Sequence, residues 1–107
     1  MSEKLSGRVV SRGKVKGIAK IINSYEDLES VRKGDILVTA QTDMNYTPYL
    51  DDCAGLITEK GGRYSHAAIY SRENNIPCIT SVKHARKNLQ GLIVLDADNN
   101  EIYQNDL

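Results

Sequence analysis

Residues 57–80 read ITEKGGRYSHAAIYSRENNIPCIT. The stretch predicts a short apolar strand over residues 55–58, a charged, glycine-bearing turn, a helix opening at Ser65, and another strand from Pro77. Gly61-Gly62 allows backbone angles that a residue with a Cβ adopts only at a cost, so the chain can turn sharply and approach a ligand closely. Ser65 is placed to cap the helix, its hydroxyl accepting from an orphan amide of the first turn. His66 then takes the first helical position, beside unpaired amides and the positive end of the helix dipole. A phosphate carried on that ring would be met by N–H groups, a geometry that suits anions. Spacing alone leaves a second role open: a structural or surface histidine at a helix start fits the same pattern and is the commoner case.

The segment GGRYSHAAIYSRENNIPCI resembles the phosphohistidine signature of the mobile, or swivelling, domain of phosphoenolpyruvate-utilising enzymes. That family includes pyruvate phosphate dikinase, phosphoenolpyruvate synthase and enzyme I of the sugar phosphotransferase system, and reads approximately G-G-x-T-S-H-A-A-I-x-A-R-E-x-x-I-P. Gly61, Gly62, Ser65, His66, Ala67, Ala68, Ile69, Arg72, Glu73, Ile76 and Pro77 stand in register. The resemblance implies that His66 is the phosphorylated nucleophile and that Gly61, Gly62, Arg63, Ser65 and Ala67 support the phosphoryl group. Arg63 is the nearest candidate cation, although an arginine in an exposed turn is as commonly only solvated. Tyr64 stands where the family usually has threonine, and Ser71 where it often has alanine. A threonine hydroxyl there would orient the ring or bond a phosphoryl oxygen, whereas tyrosine carries its hydroxyl farther out.

Bulk properties exclude several classes. One chain of 107 residues suits one domain with a modest core. Fourteen basic and fourteen acidic residues cancel, so no basic field draws nucleic acid or an anionic membrane. Trp and Phe are absent, which leaves little base-stacking surface. No apolar run approaches the roughly 20 residues of a membrane helix, and the opening MSEKLSGRVV lacks a signal-peptide core, so a cytoplasmic protein is expected. Cys53 and Cys78 read as buried, reduced thiols. With His66 and His84 they show none of the short spacings of a metal site, and none is expected.

Residues 5–12 and 15–23 read as two strands joined by a turn at Gly13-Lys14. GRVVSRGKVKGIAKII also resembles the family's opening strands, with Gly7, Ser11, Gly13 and Gly17 fitting, and turn or bulge chemistry explains these positions best. Residues 25–32 predict a short helix capped by Ser24 and ended by Gly34. Residues 35–40 (DILVTA) form an apolar strand of the kind covered on both faces in a sheet centre. Thr42, Asp43 and Pro48 match a family turn that leads into a short helix, and Thr42 and Asp43 are left open as site residues. Asp43 is a turn former or helix cap, the preferred role, or else faces the phosphohistidine pocket. Asp51 and Asp52 read as a solvated helix end. His84 belongs to an exposed helix with no catalytic role, and residues 91–96 and 101–104 predict a hairpin around Asn99-Asn100.

The pattern itself supports a small α/β or α+β domain. The resemblance, running from about residue 5 to 103, implies a single three-layer swivelling β/β/α domain with mixed sheets over residues 1–107. It also implies a phosphoryl carrier that shuttles between an ATP-grasp nucleotide-binding partner and a phosphoenolpyruvate-binding barrel, in trans, with Mg²⁺ and ATP or phosphoenolpyruvate on those partners. A barrel alone takes ~250 residues, so neither partner fits within this chain. The alternative is a non-catalytic regulatory or interaction module that keeps the fold, for which Tyr64 is the main argument.

Overall fold

The computed structural model describes residues 4–105. In chain order it contains β1 (Arg8–Ser11), β2 (Lys14–Ile22), β3 (Ile36–Thr39), α1 (Thr47–Leu50), β4 (Gly55–Thr58), α2 (His66–Asn74), β5 (Cys78–Thr80), α3 (Ala85–Asn88), β6 (Leu92–Asp96) and β7 (Glu101–Gln104). Two 3₁₀ turns, Tyr25–Ser30 and Met44–Tyr46, complete the set. The strands form one mixed sheet in the order β1-β5-β4-β3-β2-β6-β7. β2, β3, β4 and β5 run parallel, while β1, β6 and β7 pair antiparallel to their neighbours.

β2 explains how one sheet makes two layers. Its first half pairs with β6, from Lys14↔Asp96 to Ile18↔Leu92, and its second half pairs with β3, from Ala19↔Ile36 to Ile22↔Thr39. Gly17, at the handover, sits so close to the loop before β3 that a Cβ would lie 2.4 Å from the Gly34 carbonyl oxygen. The sheet therefore curls over itself. Alternation along β3 then divides the core, because successive side chains point to opposite faces. Leu37 packs with Leu50, Ala67 and Ala68 under the helices. Ile36 and Val38 pack with Ile93, Leu95 and Ile102 between the two β layers. Helices, central strands and the β6–β7 layer are the three layers of a β/β/α domain. Every residue of β3 and β4 is buried, as a doubly covered strand requires.

Several sequence expectations need correction. The first run is shorter than residues 5–12: Leu5 makes only an isolated bridge to Ile102, and the Asn100 side chain ties both backbone polar groups of Gly7. The turn at Gly13 (φ 134°) does join β1 to β2, and the two strands part there: β1 lies at the sheet edge on β5 while β2 lies inside. The helix expected over residues 25–32 is a 3₁₀ turn that stops at Ser30, and Gly34 (φ 91°) belongs to the following turn. The helix around His84 is a single turn that starts after it, with His84 itself left-handed (φ 58°). Cys53 and Cys78 are buried and unpaired, and burial pushes both thiols up to about 12.

Candidate functional site

β3 and β4 end side by side, at Thr39↔Thr58, and the loops that follow them build the site off their carboxyl ends. The turn after β4 is fixed by backbone bonds from Glu59 and Lys60 to Ala40 and by Glu59 itself. That carboxylate accepts from the Arg86 amide at 3.0 Å and Nε at 3.1 Å, and pairs with Nη2 at 2.9 Å. Gly61 takes φ 108°, and a Cβ on it would come within 3.0 Å of the Ser65 side chain. Gly62 needs neither freedom: its φ is not positive, and a Cβ there would meet nothing within 4 Å.

Ser65 caps α2 as its sequence position predicts. Its hydroxyl oxygen accepts from the Ala68 amide at 3.3 Å and donates to the Gly62 carbonyl at 2.9 Å. His66 is the first helical residue and half-buried. Ala67, the second, is buried in the helix-side core. The N–H groups of these first positions have no intrahelical acceptor. At its far end the helix stops on Asn75 in the left-handed conformation (φ 55°).

One residue distant in sequence and one a helical turn away hold the His66 ring. Its Nδ1 lies 2.8 Å from the hydroxyl of Thr42, a buried residue in the loop after β3. The Tyr70 ring, one turn along α2, stacks on the imidazole with centroids 6.1 Å apart and planes 24° apart. The Tyr70 hydroxyl donates to Asp51, and that bond pushes the phenol up to about 12. Asp51 is thus an anchor for Tyr70 and not merely a solvated helix end. Tyr70 is absent from the sequence expectations, although i, i+4 spacing from His66 is the signal that finds it. Asp43 takes the structural role: its carboxylate accepts from the Asn45 amide at 2.9 Å and from the Tyr25 hydroxyl.

Arg63 and Tyr64 are exposed, and the Tyr64 ring, 80% accessible, does not cover the histidine. The Arg63 carbonyl accepts from Arg72 Nη2 at 2.6 Å. Among the described residues no three His, Cys, Asp or Glu side chains come together to hold a metal ion. No helix among them is long and apolar enough to cross a membrane.

Fold and site together define a class: a three-layer β/β/α domain that presents a histidine at a helix start. Residues 31–100 match the family model described as PEP-utilising enzyme, mobile domain, and the chain belongs to that family. It is 41% identical over 86 residues to phosphoenolpyruvate synthase of Pyrococcus furiosus and 42% identical over 86 residues to rifampicin phosphotransferase of Bacillus cereus. Each alignment covers 80% of this chain and 10% of the relative, so the chain spans about a tenth of the length of these curated relatives. Among solved structures, aconitase X of Thermococcus kodakaraensis superposes with a TM-score of 0.72 at 18% identity, covering 97% of this chain and 99% of that one. That likeness is of fold alone.

Proposed function

We propose that residues 1–107 form one phosphoryl-carrier domain in which His66 accepts a phosphoryl group on Nε2 and passes it on. The observation that carries this reading is the 2.8 Å contact between Thr42 Oγ1 and His66 Nδ1. In the tautomer with its proton on Nδ1, the ring donates to Thr42 and leaves the Nε2 lone pair free. Nε2 attacks phosphorus in line; the bond from phosphorus to the donor's leaving oxygen breaks, and its electron pair leaves with that oxygen. Phosphorylation on Nε2 leaves the Nδ1–H bond to Thr42 in place. The first amides of α2 supply donors for the phosphoryl oxygens. The Ser65 hydroxyl proton is already given to Gly62, so capping is its main task.

The donor and acceptor sites belong to other domains or proteins: an ATP-grasp unit with ATP and Mg²⁺, and a barrel that handles phosphoenolpyruvate. The relatives' names support a split between carrier and acceptor. One is a phosphoenolpyruvate synthase and the other a rifampicin phosphotransferase, so a similar carrier serves different acceptors. A regulatory or interaction module is the second reading, favoured by the exposed Tyr64 ring.

Incubation with a candidate ATP-grasp partner and labelled ATP tests the first reading. The label should be acid-labile, alkali-stable, absent in His66→Ala and retained in His84→Ala. Label that persists in His66→Ala overturns the assignment.

A further inference from the structure

The turn before α2 has a second side. A cavity of about 370 Å³ opens between the edge strand β1 and α2, lined by Arg8, Val9, Val10, Arg63, Tyr64 and Arg72. On a helix of 3.6 residues per turn, Arg72 lies about 120° round from His66, so this cavity flanks the histidine rather than containing it. Its three arginines come from three separate elements: β1, the turn and α2. Neither ion pair among the described residues, Lys4–Glu101 or Arg86–Glu59, uses any of the three. Arg72 is held in place by its bond to the Arg63 carbonyl.

Three like charges around one concave space make it attractive to an anion, the more so at low salt. Protection of an exposed sheet edge accounts for a charge on β1, but not for two further arginines brought in from the turn and the helix. Arginine forks pair bidentately with phosphate oxygens. Three positive charges suit a group carrying several negative ones, and the volume falls in the range of small-ligand sites. Val9 and Val10 give the cavity an apolar wall, and the exposed Tyr64 ring gives it a flat rim.

We propose that this cavity is a binding site for a polyphosphate group, with Arg8, Arg63 and Arg72 as its ligands. The site stands apart from His66 and does not require its phosphorylation.

The test is titration of inorganic tripolyphosphate and, separately, ATP into the full chain, followed by calorimetry and amide NMR. Saturable binding that weakens with salt is expected, with shifts at residues 8–10, 63, 64 and 72. Arg8→Gln, at an exposed position, should weaken it about tenfold, as loss of one charge-assisted pair implies. His66→Ala should bind like the parent. Equal affinity for both compounds identifies a free polyphosphate as the ligand. Tighter ATP, with the difference lost in Tyr64→Thr, identifies a nucleotide whose base lies on the ring. The proposal is overturned by absence of saturable binding to either compound. It is overturned equally by binding that survives Arg8→Gln and Arg72→Gln but is lost in His66→Ala. A third overturning result is that neither compound binds, while an acidic protein partner docks and loses its hold in Arg8→Gln.

Discussion

Thr42 and His66 meet side chain to side chain, Oγ1 to Nδ1 at 2.8 Å, although 24 residues separate them in the chain. The contact joins the loop after β3 to the first residue of α2 and fixes which ring nitrogen faces outward. A lone hydrogen bond of this kind is worth about 1 kcal/mol, enough to change a rate about fivefold when it orients the reacting atom. Thr42→Val should slow phosphorylation of His66 by about that factor, and Thr42→Ser should restore it. Nitrogen-15 spectra of the ring should show the proton moving off Nδ1 in Thr42→Val only. Unchanged spectra and rate in Thr42→Val would remove Thr42 from the site.

Two glycines give opposite expectations for stability. A Cβ on Gly17 would meet the Gly34 carbonyl oxygen at 2.4 Å, a backbone atom that can yield only by moving the curl of the sheet. Gly17→Ala should cost about 3 kcal/mol in chemical denaturation. Gly62→Ala meets nothing within 4 Å and should stay within about 0.5 kcal/mol of the parent. Comparable losses at the two positions would contradict the close approach of β2 to the loop before β3.

Acid should weaken the fold partly through Glu59. Burial pushes its carboxyl up, but hydrogen bonds from the Arg86 side chain and amide, with the Arg86 charge, outweigh this and hold it below the ordinary range. A carboxylate with a lowered folded value stabilises the fold above its unfolded value of about 4.3, and loses that contribution as pH falls through the folded value. Asp96, held low chiefly by the Asn99 side chain, adds to the same window. The melting temperature should therefore drop as pH falls from about 5, and Glu59→Gln should drop less over that range. An identical pH profile for Glu59→Gln would dissociate the Glu59–Arg86 pair from acid sensitivity.

Tyr64 separates reactivity from recognition. Its ring is exposed and lines the arginine cavity, so it neither fills the core nor shields His66. Tyr64→Thr should leave the melting temperature unchanged and leave phosphorylation by a small donor such as phosphoramidate unchanged. Transfer from the native protein donor should slow, because exposed aromatic rings are favoured interface anchors. Faster transfer in Tyr64→Thr would instead show that tyrosine impedes the histidine.

Local features of this fold are legible in the sequence, and long-range ones are not. The positions of β4 and β5 and the start of α2 follow from apolar runs, two glycines and a capping serine within residues 55–80, and the structure keeps them. The family pattern places His66 but cannot say what holds its ring. Thr42 remains one open candidate beside Asp43, and only the parallel pairing of β3 with β4 brings it to the helix start. Asp43 turns to its own loop and to Tyr25, as Asp does at turn starts. The partners of β1 and β2 are equally hidden. Neighbouring runs joined by a glycine turn suggest pairing with each other, yet β1 pairs with β5 at the sheet edge and β2 with β3 and β6. Arg8 has no visible link to Arg63 or Arg72 until α2 packs beside β1.

The handover within β2 also bears on motion. The same strand is stitched to β6 along its first half and to β3 along its second, so the β6–β7 layer and the histidine-bearing layer share a continuous backbone ladder. Among the described residues the ladder leaves no seam along which one could slide or open against the other. If His66 travels between a donor and an acceptor, as proposed, the body from β1 to β7 travels as one. In such a swing the histidine's surroundings, Thr42 and Tyr70 included, would ride with it unchanged.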